Sequence, residues 1–279
     1  MIAVIVPIYN TEKYLRETID SVICQTLSFA EHIRLILLDD ASTDGSFAIC
    51  EQYQKQYPKQ ILVKHYDTNQ GVSALRNEGV RIAGEMGDEL ITFLDSDDKL
   101  ADDAMEKAKM YFESHEDISV AAIAVKYFGT RDGEQRLNWR FQEMDVVDIK
   151  KQYTFPHYYV GGVFLRKRVL NEHFDETMNF WEDALAINQV IVSEGKYGLI
   201  QDTFYFYRKR EDESSLVDTA WHKKERYTTL LSSGYGQLFA YSRKKHHRII
   251  PYVQYMVAYH MRLMMMKSKQ SIIEEILSE

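Results

Sequence analysis

The sequence predicts an α/β protein with a mainly parallel central sheet flanked by helices, followed by a helical C-terminal extension. Three observations carry this expectation. Over residues 1–100, continuous apolar runs of strand length alternate with stretches whose apolar residues recur at helical spacing. Strands alternating with helices imply right-handed crossovers into a parallel sheet. Acidic residues follow directly after two of the apolar runs, at Asp39-Asp40 and at Asp95, Asp97 and Asp98. That is where ligands bind in open α/β sheets. From residue 216 onward the alternation is lost and the pattern reads as all-helical.

The elements follow in order. Residues 3–8 form a buried-strand run, and residues 11–24 then place Leu15, Ile19, Val22 and Ile23 on one helical face. A second strand run, 33–38, ends at Asp39-Asp40. Ser42-Thr43-Asp44-Gly45 is loop chemistry, and Phe47, Cys50, Tyr53 and Tyr57 form a helical stripe stopped by Pro58. Residues 61–63 make a short strand. Val72, Leu75, Gly79, Ile82 and Ala83 share the face of the next helix, and 90–94 is a strand. Ala104, Met105, Ala108, Tyr111 and Phe112 mark a helix, 120–127 a strand, and the polar stretch 131–143 a loop or hairpin. An apolar segment at 159–165 leads to a loop and helix over 179–193. In the tail, Ile249, Val253, Met256, Val257, His260, Leu263 and Met264 lie on one helical face. The chain ends, at 271–279, inside a helical pattern with no stop signal, as a piece of a longer protein would. No internal repeat is found. The expected division is one domain over 1–215, with halves 1–100 and 101–215, and an extension over 216–279.

Composition narrows the function classes. With 279 residues, 45% hydrophobic and 27% charged, the chain is neither collagenous, low-complexity nor a multi-span membrane protein. A formal charge of −8 argues against a globally basic nucleic-acid binder. The local exception is the run Arg243, Lys244, Lys245, His246, His247 and Arg248. Cys24 and Cys50 are too few for a disulfide framework and too far apart for zinc, and read as reduced packing residues of a cytosolic protein. The apolar start lacks the basic residues and cleavage site of a signal peptide. Residues 249–261 are too short to span a bilayer.

Four stretches carry chemistry, each with a plainer alternative. In Asp95-Ser96-Asp97-Asp98, two carboxylates one residue apart can turn toward a hard cation that bridges diphosphate oxygens; an isolated Asp-x-Asp is more often a solvated acidic loop. Asp39-Asp40 can accept hydrogen bonds from a base edge or a ribose hydroxyl, or belong to the capping of the following helix with Ser42 or Asp44. Tyr9, after Pro7-Ile8, can stack a base for about 1–3 kcal/mol, or pack at the rim of the core with a wet hydroxyl. Arg76 and Asn77 fall one turn into a helix that starts near Gly71. A guanidinium there reaches a base or phosphate at the sheet's carboxyl edge, or forms a surface ion pair.

In this order and at these intervals, residues 4–10, 38–46, 69–71 with 74–79, and 93–98 resemble the inverting family 2 glycosyltransferases of the GT-A fold. Phe180-Trp181-Glu182-Asp183 is similar to that family's Glu-Asp motif. The resemblance covers residues 1 to about 215. It implies a nucleotide site made of Pro7, Tyr9, Asn10, Asp39, Asp40, Gly71, Arg76, Asp95 and Ser96. Within it, Tyr9 stacks on the base, Asp40 meets a base N–H, Arg76 closes the pocket or approaches the phosphates, and Asp95 binds ribose or a metal-bound water. It implies that Asp97 coordinates Mn²⁺ or Mg²⁺, and that Asp183 is the general base with Glu182 in support. The alternative for Glu182-Asp183 is acidic charge favoured at a helix N-terminus. Tyr207, Arg208 and Arg210 are candidates for a basic loop over the diphosphate, with the inward-pointing member left open. His157 and Gly161-Gly162 are expected near the acceptor cleft, with a satisfied structural histidine as the alternative. Ala41 stands where the family often has Gly.

The implied activity is non-processive inverting transfer from a nucleotide-diphospho-sugar, a UDP-sugar in the first instance, to a hydroxyl of a glycan or lipid-linked acceptor in bacterial surface-glycan assembly. The Gln-x-x-Arg-Trp motif and membrane helices of processive synthases are missing from the sequence. The implied place is the cytoplasm or the inner face of the cell membrane, with no nucleic-acid partner. The tail has three readings: a cover for the core, a homo-oligomer or domain contact, or a peripheral membrane contact in which each basic residue contributes about 1 kcal/mol. A sugar-nucleotide nucleotidyltransferase would need a Gly-rich loop after the first strand, where Pro7-Ile8-Tyr9-Asn10 stands. A degenerate, binding-only domain would be marked by loss of Asp97 or Asp183, and both are present.

Overall fold

The structure, a computed structural model, describes residues 1–169, 174–210 and 220–266. The run Ile2–Ile8 (β1) is buried along its whole length, as a central strand of a parallel sheet must be. Strand β2 (Ile33–Asp39) runs parallel beside it, followed by β3 (Ile61–His65), and β4 (Leu90–Phe93) lies parallel on its other side. Ile8 pairs with Asp39 and Ile5 with Phe93, so three strands end along one edge.

Beyond β4 the sheet becomes mixed. The remaining strands are β5 (Lys99–Leu100), β6 (Val120–Gly129), β7 (Gly133–Glu134), β8 (Val146–Asp148), β9 (Val163–Arg166) and β10 (Lys196–Lys209). The order is β3-β2-β1-β4-β9-β6-β10-β5, with β7 on β6 and β8 on β10. β9 is antiparallel to both β4 and β6, and β10 is parallel to β6. A register irregularity between Ile200 and Phe204 lets β10 continue past the break toward the site.

Helices cover both faces. On one side α1 (Glu12–Ile23), α2 (Phe29–His32), α3 (Ser46–Gln56) and α5 (Ala104–Ser114) pack on Val4, Val6, Leu35 and Leu37. On the other, α4 (Val72–Glu85), the short α6 (Arg140–Glu143) and α7 (Glu182–Glu194) pack on Ala3, Ile5, Ile36 and Leu38. The C-terminal helices α8 (Gly236–His246) and α9 (Pro251–Met264) join this same cluster through Leu238, Tyr252, Val253 and Met256. Helix α4 lies close on β1: a Cβ on Gly79 would sit 2.4 Å from Ile5 Cγ2.

Several local expectations gain a physical account. The stretch 131–143 contains a β6–β7 hairpin and then α6. The apolar segment 159–165 becomes strand only from Val163, because Gly162 takes φ +72°. Cys24, expected as a packing residue, is exposed just past the end of α1; Cys50 is buried, and burial aided by the Asp39 charge pushes its thiol up to about 12. Arg243, Lys244, Lys245 and His246 form the last turn of α8, where cations meet unpaired carbonyls. Residues 271–279 lie outside the described residues. Among the described residues no helix is long and apolar enough to cross a membrane.

Candidate active site

The two loops that leave β1 and β2 are tied to each other. Asn10 and Ala41, the turn residues, both take left-handed backbone, with φ +51° and +60°. The Asn10 N–H donates to Ser42 Oγ at 3.0 Å, and the Thr43 N–H donates to Asn10 Oδ1 at 2.8 Å. Asn offsets the left-handed cost with such local bonds, whereas Ala has no side chain to do so. Tyr9, beside them, is 52% exposed and presents its ring to solvent. Pro7 is buried in the ladder opposite Leu38.

The two aspartates after β2 have different surroundings. Asp40 accepts the N–H groups of Gln70 (2.6 Å) and Gly71 (2.9 Å), one on each carboxylate oxygen, and so fixes the start of α4. Gly71 supplies φ +88° there. Asp39, grouped by sequence with the nucleotide site, is instead wholly buried. Its Oδ2 meets His65 Nδ1 at 2.7 Å and the Ser42 N–H at 3.3 Å. Asp39 therefore braces the loop from below through Oδ2, while its Oδ1 is buried without a partner.

Arg76 is not a surface ion pair. It is buried, donating from Nη2 to Asp95 Oδ1 at 3.0 Å and from Nη1 to Glu182 Oε1 at 3.1 Å, with the Phe174 ring 5.5 Å away. Burial opposes its charge, but Asp95, Glu182 and Asp183 more than offset that and hold the guanidinium ionised. Asn77 accepts from Phe174 N–H and donates to Phe174 O and Glu176, pinning the segment that precedes the Glu-Asp motif.

Asp183 opens α7. Burial, then the neighbouring Glu182 charge, raises its carboxyl to about 7, with Arg76 pulling the other way. Just before it, Trp181 is buried with φ +68°, a conformation that a bulky side chain adopts only when its surroundings enforce it. Those surroundings are C-terminal: the Tyr235 ring edge at 5.1 Å, the stacked His260 ring at 5.8 Å, and Gly234, where a Cβ would come within 3.1 Å of Trp181. His260 Nδ1 and Tyr235 Oη are 2.6 Å apart, and burial together with Arg226 lowers the imidazole to about 4, keeping it neutral.

The acidic turn after β4 is held by β10. Asp98 is buried and accepts from Tyr205 Oη and from the Arg208 N–H, each at 2.7 Å. Tyr205 Oη also receives the Asp95 N–H at 3.2 Å. Gly161 and Gly162 make room for that tyrosine, since a Cβ on either would come within 3.0 Å of it. Ser96 is buried, its carbonyl accepting from Thr18 Oγ1. Asp97 Oδ2 receives both Nε and Nη2 of Arg210 at 2.7 Å. Arg208 turns its Nε to the Asp97 carbonyl and pairs with Glu17, while Tyr207 packs edge-on against Tyr127. Of the three loop candidates, Arg210 is thus the one on the Asp97 carboxylate.

Burial and the Asp95 charge push Asp97 upward against Arg210, and burial with Asp97 and Asp95 pushes Asp98 up further. This surplus of hard oxygen donors suits Mg²⁺ or Mn²⁺. Among the described residues no group of three or more His, Cys, Asp or Glu side chains is placed to hold a metal ion by itself.

His157 adopts the structural alternative. It is buried between Arg140 Nη2 (3.1 Å) and the Tyr159 carbonyl (2.6 Å), and burial plus the Arg140 charge lowers it well below the usual range. Sequence reasoning did not single out the parts played by Tyr205 and His260: Tyr205 opens the stretch 205–210 from which only Tyr207, Arg208 and Arg210 stand as candidates, and His260 is marked only by its spacing on the tail's buried face.

The Glycosyl transferase family 2 profile matches residues 3–174. The chain belongs to this family. The Minor teichoic acid biosynthesis protein GgaA of Bacillus subtilis (strain 168) is 39% identical across 100% of this chain and 63% of its own length. GgaB of the same organism, also a minor teichoic acid biosynthesis protein, is 36% identical over 93% of the chain and 29% of its own length. The chain therefore spans less than two thirds of either relative. Among solved structures, S. aureus TarS 1-349 in complex with UDP superposes with a TM-score of 0.73 at 21% identity, covering 95% of this chain and 72% of that one. The fold is accordingly GT-A, with the mixed second half of the sheet and C-terminal helices described above.

Proposed function

We propose that this domain transfers a sugar from a UDP-sugar, with inversion and without processivity, to a hydroxyl of a teichoic-acid-type acceptor, a phosphodiester polymer of the bacterial surface. The observation that carries this is the Arg76 bridge, which joins Asp95 at the end of β4 to Glu182 beside Asp183. In this reading Asp95 is the donor-side carboxylate, and Glu182, on the other arm of the same guanidinium, adjoins the base Asp183. GgaA and GgaB, by name, and TarS, by its bound UDP, support the acceptor and donor classes.

In this reading Tyr9 stacks the base and Asp40 keeps a lone pair for its N–H, since each oxygen now accepts one backbone bond. Asp97 would hold Mn²⁺ or Mg²⁺, which when bound neutralises charge on the departing diphosphate. Arg210 exchanges the Asp97 carboxylate for the diphosphate. Asp183 takes the proton of the acceptor hydroxyl, which its value near 7 allows at neutral pH. Glu182 stays on Arg76 and fixes the motif. A single base on the acceptor side corresponds to direct displacement at the anomeric carbon.

Calorimetric titration with UDP, with GDP and CDP as controls, with and without Mn²⁺, tests this reading. UDP binding that requires the metal is the expected result. Failure of all three nucleotides to bind would overturn it in favour of a non-catalytic domain.

A further inference from the structure

Three arginines are buried among the described residues: Arg76, Arg140 and Arg226. Arg76 has two carboxylates. Arg140 has the Pro156 carbonyl, His157 and the hydroxyls of Tyr159 and Tyr197. Arg226, 4% exposed, has no acceptor among the described residues; its Nε and Nη1 are enclosed and unpaired. Its guanidinium lies between two aromatic rings, Trp221 at 3.7 Å and Phe180 at 4.2 Å. A buried charge without a partner is costly. Aromatic walls attract the cation but leave its N–H donors unsatisfied. Phe180 stands two residues before Glu182, so this cation adjoins the turn that presents Asp183.

We propose that Arg226, walled by Phe180 and Trp221, is a phosphate subsite that takes a phosphate group of the acceptor beside the Glu182-Asp183 motif. A planar guanidinium matches phosphate oxygens in a two-point contact, and an arriving phosphate satisfies donors that the protein leaves empty. The donor's diphosphate is the other source of the same chemistry. Its side of the site is already served by Arg210 at Asp97, whereas the groups around Arg226 (Phe180, Trp221, Tyr227, Tyr235 and His260) belong to the α7 approach and the C-terminal segment. The assignment of the acceptor as the source rests on the transferase reading above; the phosphate subsite itself does not.

The test is tryptophan fluorescence and thermal unfolding during titration with inorganic phosphate and with glycerol 3-phosphate at constant ionic strength, against chloride and glycerol. The expected result is a saturable signal and a higher Tm with both phosphates in the wild type. Both effects should vanish in Arg226→Met, whose own Tm should not fall because an uncompensated buried charge has been removed. Arg226→Lys keeps charge and stem, and should bind about tenfold more weakly because a point charge lacks the two-point match. Absence of a saturable response in the wild type, an unchanged response in Arg226→Met, or equal affinity in Arg226→Lys would overturn the subsite. The response should survive saturating UDP with Mn²⁺; displacement by UDP would overturn the acceptor as the source. Because the titration needs no turnover, it stands apart from the nucleotide calorimetry, whose failure would leave the phosphate result intact.

Discussion

Arg76 Nη1 lies 3.1 Å from Oε1 of Glu182, a residue 106 positions further along the chain, and the same guanidinium holds Asp95 at 3.0 Å through Nη2. One buried cation thereby aligns the end of a strand in the first half with the start of a helix in the second. The bridge helps two segments without mutual backbone pairing keep a fixed relation, alongside the Asn77 bonds to Phe174 and Glu176.

Arg76→Ala should leave both carboxylates buried without their cation, a loss of about 3–5 kcal/mol by the usual cost of breaking a buried pair. Arg76→Lys should recover part of the stability but not transfer, because one ammonium cannot span both carboxylates as the fork does. Chemical denaturation and turnover with a UDP-sugar, measured on both variants, check this. Wild-type stability in Arg76→Ala would mean that the bridge is ornamental.

The pH profile should follow Asp183. A base must be ionised, so kcat/KM should fall about tenfold per pH unit below the value near 7 and level off above it. Stability moves the opposite way. A carboxyl raised on folding favours its protonated form, so its contribution is full below the ordinary carboxylate range and is lost as pH rises through about 7. Asp183→Asn should stop transfer, retain UDP binding and remove that decline in Tm. A rising activity limb that persists in a still-active Asp183→Asn would assign the base elsewhere.

Mn²⁺ and Arg210 should compete for the Asp97 carboxylate. Arg210→Ala is expected to tighten Mn²⁺ binding to the nucleotide-free protein while weakening UDP, and Asp97→Ala to abolish the metal dependence of UDP binding. Mn²⁺ titration followed by electron paramagnetic resonance reads the first effect and calorimetry the second. Identical Mn²⁺ affinity in wild type and Asp97→Ala would remove Asp97 from the metal site.

At Ala41 the left-handed backbone carries a Cβ that glycine would not. Ala41→Gly should therefore raise stability by about 1 kcal/mol, seen as a higher denaturation midpoint at unchanged slope. Gly71→Ala, at φ +88° with open space around it, should lower stability by a similar amount through backbone strain alone. A loss of stability in Ala41→Gly, or a gain in Gly71→Ala, would contradict the backbone account.

The first half of the fold was legible because its strands are continuous apolar runs and the turns with polar side chains follow them directly: Tyr9 after β1, Asp40 after β2 and Asp97 after β4 each stand where a parallel sheet puts them. What sequence order does not encode is which side of a turn a carboxylate takes. Asp39 and Asp40 are adjacent, acidic and both buried, yet strand alternation turns one to His65 and the Ser42 N–H and the other to the backbone that starts α4. The antiparallel β9 was also hidden, since an isolated apolar tetrapeptide carries no direction. Arg226 and His260 lie in the C-terminal segment outside any motif, and their significance comes from contacts with Phe180 and Trp181 that only tertiary packing creates.

The close seat of α4 on β1 has an evolutionary corollary. Because Gly79 leaves no room above Ile5, any side chain there must lift the helix and carry Arg76, one turn earlier, away from both its carboxylates. Position 79 thus acts as a spacer whose effect is felt at the chemistry without touching it. Gly79→Ala alone would read as a loss-of-function change at a remote site, and Ile5→Ala beside it as a suppressor. Sequence drift at these two positions should be epistatic, with each residue's tolerance set by the volume of the other.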